Sequence, residues 1–115
     1  MAITIYGLKN CDSCRKARKY LDNKGVEYTF HDVRQDGLDE DVLSRWLDEL
    51  GWEVLLNRKS LTWRQIPEDQ RADLDRQRAL ALMVEHPTLV KRPVVDSDAM
   101  ISVGYSEERL DTHAA

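Results

Sequence analysis

Cysteine occurs only twice in the 115 residues, proline three times, glycine five times and phenylalanine once. Two cysteines cannot build a disulfide framework, and so little glycine and proline excludes collagen-like or low-complexity order. No apolar run approaches the ~18 residues of a membrane span. The opening Met1-Ala2-Ile3-Thr4-Ile5-Tyr6 lacks a basic stretch followed by a long apolar one, so no secretory signal and no membrane partner are expected. An excess of cations is missing too: 17 Lys+Arg stand against 21 Asp+Glu, a net charge of −4. Binding to phosphate backbones needs cations clustered over a wide face, so direct nucleic-acid contact is not expected.

What is present is ordinary for a folded cytoplasmic domain: 42% apolar and 33% charged residues over a length that supports one core. Residues 1–115 are read as a single domain. In such a chain two cysteines point to chemistry rather than scaffolding. Charge is unevenly spread. The first thirty residues hold six basic against three acidic side chains, which leaves eleven against eighteen for the rest. Both cysteines lie in that positive stretch.

Residues 2–6 alternate polarity and are rich in β-branched side chains, which predicts a first strand. Gly7 to Asp12 reads as a turn. A helix is predicted from about Ser13 to Asn23, with Ala17, Tyr20, Leu21 and Lys24 on one side and Gly25 as its left-handed stop. Val26 to Val33 predicts a second strand. Strand, helix and strand with such short links form a right-handed unit with parallel strands. Leu38, Val42, Trp46 and Leu50 mark a helix that Gly51 ends. Trp52 to Trp63 reads as irregular, Pro67 as the start of another helical section, and Leu80, Met83 and Val84 as a helical stripe before Pro87. Pro93-Val94-Val95 and Met100 to Val103 predict an antiparallel hairpin turning at Asp96–Asp98. Ser106 is placed to cap a last helix. The fold class is α/β, a mixed sheet with a helical insertion at about 35–87 between the βαβ half and the hairpin.

Cys11-Asp12-Ser13-Cys14 falls where the first strand hands over to the first helix. One helical turn brings two sulfurs within disulfide reach. Unpaired N–H groups and partial positive charge at a helix start favour thiolate over thiol, and Lys9 and Arg15 add cations. Cys11 is therefore read as the attacking thiol. Cys14, one turn inward, is either a buried resolving thiol or a small core residue that leaves Cys11 to an external thiol. A zinc site needs two further ligands, and His31, His86 and His113 are not paired at ligand spacing, so no metal is expected. His31 is read as a satisfied strand histidine.

The run Tyr6-Gly7-Leu8-Lys9-Asn10-Cys11-Asp12-Ser13-Cys14-Arg15-Lys16-Ala17-Arg18 resembles the opening of the ArsC/Spx family, arsenate-reductase-like proteins with a thioredoxin-like fold. The resemblance continues through Phe30-His31-Asp32, Gly51-Trp52-Glu53, Leu56-Asn57-Arg58, Thr62-Trp63-Arg64, His86-Pro87 and Lys91-Arg92-Pro93-Val94 to Val103-Gly104-Tyr105, and it is nearest to the YffB-like branch. It implies that Cys11 attacks an oxyanion or disulfide, with Arg15 at the shared spacing and Arg58 and Arg92 binding the anion. It implies a cis bond before Pro93, and it implies glutathione as co-substrate with glutaredoxin restoring the enzyme, no bound cofactor being needed. Two positions depart from arsenate reductases: Gly7 stands where they place a histidine, and Tyr105 where they place a third anion-binding arginine. A charge-assisted contact is worth ~1.5–3 kcal/mol, so these losses weaken an arsenate site. The Cys-x-x-Cys pair and the Val-Gly-Tyr-Ser-Glu-Glu end also resemble Spx, a redox-sensing regulator that binds RNA polymerase, and that is the alternative reading.

Overall fold

Alternation is visible at once in the first strand: β1 (Ile3–Gly7) buries Ile3, Ile5 and Gly7 and half-exposes Thr4 and Tyr6. The computed structural model describes residues 2–115. Helix α1 (Asp12–Asn23) turns Cys14, Ala17 and Leu21 inward, an i, i+3, i+7 stripe. It ends in a Schellman arrangement: Gly25 N–H donates to the Asp22 carbonyl and Val26 N–H to that of Leu21, with Gly25 at φ 69. This corrects two expectations. Val26 is used to close the helix, so β2 spans only Thr29–Asp32, and Lys24 lies on the surface beside Asp111 rather than on the inner face.

Short helix α2 (Val33–Asp36) begins at Val33, the residue where the strand was expected to end. After α3 (Glu40–Leu50), the segment read as irregular contains α4 (Trp52–Leu55) and the start of α5 (Leu61–Gln65). Ser60 makes the second of these possible, because its side chain accepts the Trp63 N–H and satisfies one free donor of the first turn. Pro67 does open a helix, but α6 (Glu68–Arg71) is one turn long. Asp75 then caps α7 (Arg76–Glu85), and Pro87–Leu89 forms a 3₁₀ turn. The hairpin comprises β3 (Val94–Ser97) and β4 (Ile101–Val103); Asp96 and Ser97 belong to the strand, so the reversal comes later than expected. Ser106 caps α8 (Glu107–Ala114) by accepting from the Arg109 N–H.

Among the described residues the strands form one sheet in the order β2-β1-β3-β4. β1 and β2 are parallel, with Thr4 opposite Thr29 and Gly7 opposite Asp32. β3 runs antiparallel to both β1 and β4. A βαβ unit joined through a crossing to an antiparallel hairpin and a closing helix is the thioredoxin-like α/β arrangement.

The chain divides into two compact units. One comprises the segments up to Asp36 and from Arg92 onward, and carries the sheet, α1, α2 and α8. Its core joins Ile3 and Ile5 of β1, Ala17 and Leu21 of α1, Val95 of β3 and Leu110 of α8, with Tyr20, Phe30 and Tyr105 packed against them. The other, Gly37–Lys91, is helical and takes the place of the expected insertion. There α3 packs on α7, Trp46 is fully buried, and Leu56 bridges Val90.

Candidate active site

Cys11 is the residue before α1, with extended backbone (φ −89, ψ 125), and its carbonyl accepts the first helical N–H, from Arg15 at 2.9 Å. Its side chain is half-buried. Burial alone would raise its pKa. That is outweighed by the backbone N–H and the thiol of Cys14, the Arg92 guanidinium and the N–H of Ser13, which together hold Cys11 below the usual thiol value. The lowering is the helix-start effect expected from the spacing, reinforced by a cation from the far end of the chain.

Cys14 is wholly buried, and burial pushes its pKa up to about 12. The Leu8 N–H and Arg92 work against that rise, while the charge and hydrogen bond of Cys11 add to it. Both cysteines are free thiols. The pair is therefore asymmetric: one sulfur stabilised as thiolate, its neighbour held as a thiol that donates to it. Gly7 makes room for this. A Cβ built on Gly7 would overlap the Cys14 sulfur.

A cleft of about 600 Å³ opens at Cys11, lined by Leu8, Lys9, Asn10, Cys11, Asp32, Arg34, Gln35 and Arg92. Three cations thus face one carboxylate. The Arg92–Pro93 bond is cis and Pro93 is buried, with its carbonyl accepting the Gly104 N–H at 2.8 Å. Cys11, Cys14 and Arg92 are accordingly brought together, with Pro93 following Arg92 in the chain. Arg15 is not among the cleft residues: it pairs with Asp12 on the surface, 60% exposed. Arg58 belongs to the helical unit, where its guanidinium lies 5.6 Å from the Trp52 ring and 6.0 Å from that of Trp63. Those two indoles thus pack an arginine of the segment that they flank. The His31 ring lies 4.8 Å from that of Tyr6, tilted by 44°.

Arg34 and Gln35 escaped the sequence reading. Their signal was present in Asp32-Val33-Arg34-Gln35, a capping-box pattern, and the Asp32 carboxylate does accept the N–H groups of Arg34 (2.9 Å) and Gln35 (3.0 Å). Among the described residues no group of three or more His, Cys, Asp or Glu is placed to hold a metal ion, and no helix is long and apolar enough to cross a membrane.

The model of the ArsC family matches residues 6–113. The chain belongs to the ArsC family. The solved structure of a YffB protein is 40% identical to it and superposes with a TM-score of 0.92, covering 98% of this chain and 99% of that one. An arsenate reductase (ArsC) related protein from Brucella melitensis is 44% identical with a TM-score of 0.74, over 98% of this ArsC-family chain and 94% of its own. The global transcriptional regulator Spx of Listeria innocua is 27% identical over 110 residues, 94% of this chain and 83% of the regulator. Resemblance of the motifs and similarity of the whole chain thus agree on the family, and both of its branches, reductase-like and regulator, are within reach of this sequence.

Proposed function

We propose that this ArsC-family protein is a cytoplasmic thiol–disulfide oxidoreductase that works with glutathione, with Cys11 as its nucleophile. The observation that carries the reading is the lowered pKa of Cys11, at a helix start and under the charge of Arg92, at the mouth of a cation-lined cleft. Thiolate is the reactive form in disulfide exchange, so lowering the pKa increases the fraction of nucleophile at neutral pH. Arg92 both stabilises the thiolate and stands ready for an anionic substrate group. Arg58 takes an anion-binding role by family resemblance, and Arg15, paired with Asp12, supports the helix start.

Cys14 enters second. With its pKa pushed up to about 12, Cys14 stays a thiol at neutral pH and does not compete for substrate. Two of the influences that raise it come from Cys11 itself. Once Cys11 is tied up in a mixed disulfide its negative charge is gone, and the remaining obstacle to Cys14 ionisation is burial. The mixed disulfide then either closes to Cys11–Cys14, releasing glutathione, or waits for an external thiol, with glutaredoxin as the restoring partner.

The test is direct. The alkylation rate of Cys11 against pH gives its apparent pKa, and a value at or above ~8.5 sinks the activated-nucleophile reading. Weighing the protein after exposure to oxidised glutathione separates an internal disulfide from a lasting adduct. Arsenate turnover with glutathione and glutaredoxin decides whether an oxyanion is a substrate, for which Gly7 and Tyr105 are unpromising. The similarity to Spx, together with the Cys-x-x-Cys pair, supports a second reading as a redox-sensing regulator. Stoichiometric, redox-dependent capture of the RNA polymerase α-subunit would favour it over the enzyme.

A further inference from the structure

The cleft at Cys11 presents a cation that the Cys-x-x-Cys motif does not account for. Arg34 sits on α2, immediately after the edge strand β2, and lines the cleft together with Cys11. Its place is fixed through the backbone: Asp32 ends the strand and its carboxylate accepts both the Arg34 and Gln35 N–H groups, which starts the helix at that point. The Asp32 carboxylate keeps its charge, but one of its oxygens is occupied by the amides of its own turn. Arg34 itself is exposed. Lys9 and Arg92 supply two more cations on the opposite side of the chain order, one before Cys11 and one before Pro93. Even with Asp32 and a Cys11 thiolate counted, the lining carries an excess of positive charge.

Such a lining discriminates among disulfides by charge. A carboxylate-bearing disulfide gains an attractive field and a planar, two-pronged donor, whereas a neutral one gains neither and an ammonium-bearing one is repelled. We propose that Arg34 is the specificity-determining residue of this cleft, gripping a carboxylate of an acidic disulfide such as oxidised glutathione while one of its sulfurs meets Cys11. The inference rests on Cys11 being the nucleophile and deepens that reading by naming the substrate class and the residue that selects it. In the step concerned, the Cys11 thiolate attacks one sulfur of the disulfide. A Cys11–sulfur bond forms, the substrate S–S bond breaks, and the second half leaves as a thiolate that takes a proton from water. One disulfide is exchanged for another, with no outside oxidant.

The experiment compares three disulfides on the full-length protein: oxidised glutathione (anionic), hydroxyethyl disulfide (neutral) and cystamine (cationic). The loss of alkylatable Cys11 is followed by mass, and each rate is divided by that of the same disulfide with mercaptoethanol, which removes intrinsic reactivity. The wild type is expected to rank glutathione first and cystamine last, with the spread shrinking at high salt. Arg34→Gln is expected to lower the ratio of the glutathione rate to the hydroxyethyl rate by roughly 3- to 10-fold, as one charge-assisted contact allows. Arg34→Lys should recover much of it, and Arg34→Glu should bring cystamine level with or above glutathione. Lys16, exposed on α1 and outside the cleft, provides the control. An unchanged ratio in Arg34→Gln, or an equal fall in Lys16→Gln, overturns the assignment. Fast reaction with all three disulfides in no charge order overturns it as well, yet leaves Cys11 as nucleophile intact. A Cys11 no faster than mercaptoethanol with any of them removes both.

Discussion

Replacing Gly7 by alanine tests whether the Cys14 sulfur is packed where the fold places it. Gly7 ends β1 with φ outside the left-handed region, so alanine adopts that backbone freely and any cost is steric. The added Cβ would overlap Cys14 Sγ, lie 3.3 Å from Cys14 Cβ and 3.7 Å from Phe30 Cε1. Phe30 is at ordinary contact distance, so the sulfur is the obstacle. Forcing a methyl group into a filled core costs typically ~1–3 kcal/mol. Cys14→Ala alone removes a buried sulfur and costs about 1 kcal/mol. Combined, the two changes should not add: with the sulfur gone the overlap is removed, leaving the Cβ at position 14 and Phe30 Cε1 as neighbours of the new methyl group, and the double variant should be about 1–2 kcal/mol more stable than the sum of the singles. Urea unfolding of the four proteins with a common m-value measures this coupling. A double variant within ~0.5 kcal/mol of additivity would refute the packing argument. The same series has a chemical readout. Displacing Cys14 in Gly7→Ala removes a donor from Cys11, so the pH midpoint of Cys11 alkylation should rise, and midpoints equal to wild type would detach Cys14 from the control of Cys11.

Three further outcomes follow from the burial and capping already described. Cys14 has a folded pKa near 12 against an ordinary 9.0, so its burial as a thiol is stabilising below pH 9 and is lost as pH climbs toward 12. The stability difference between wild type and Cys14→Ala should shrink with a slope of up to about 1.4 kcal/mol per pH unit across that window, and parallel curves would contradict it. His113 is fully buried between Ser97 Oγ (2.6 Å to Nδ1) and Ser102 Oγ (2.9 Å to Nε2), and burial lowers its pKa below 6.5, with Arg109 assisting and Asp96 opposing. Its contribution is therefore complete above pH 6.5 and fades as the solution is acidified; His113→Gln should flatten the fall in urea midpoint between pH 7 and 5, and an unaltered slope would remove His113 from the acid response. Ser106→Ala should cost about 1 kcal/mol by stripping the cap of α8 while Ser106→Asp keeps it, read as thermal midpoints; equal losses in both would show that the hydroxyl cap is unimportant.

Periodicity and caps explain which parts of this structure could be read in advance. Helices α1, α3 and α8 and all four strands repeat an apolar pattern over enough residues, or carry a cap clear enough, to be located from the chain. The single-turn helices α2, α4 and α6 and the five-residue α5 are too short for any period to develop, and isolated turns this short form only when a cap and tertiary packing support them. Ser60 and Asp32 supply such caps, and both were legible in principle as polar residues preceding a helical turn. They were hidden by their neighbours: the segment around Ser60 shows no apolar period, and the β-branched and aromatic run before Asp32 carries the expected strand on to Val33. Lys24 was assigned inward by counting along α1 past its last turn, where the Schellman closure breaks the count.

The site divides along the same line. A one-turn spacing at a strand-to-helix junction is a local property, so the placement of Cys11 and Cys14 could be inferred from four residues. Its electrostatics could not. Of the six cations in the positively charged opening, Lys9 alone lines the cleft; Arg15 is spent on Asp12, the Arg18 guanidinium lies 4.3 Å over the Phe30 ring, and Lys24 sits 3.5 Å from Asp111. The charges that define the cleft come instead from Arg34, 23 positions after Cys11, and from Arg92, whose own position depends on the antiparallel pairing of β1 with β3. Charge density along a chain is thus a poor guide to charge at a site, because helix surfaces send most of their cations to solvent. Under the proposed function, the residues that would select a substrate are those that the sheet gathers at one strand end, and that set is a property of the topology.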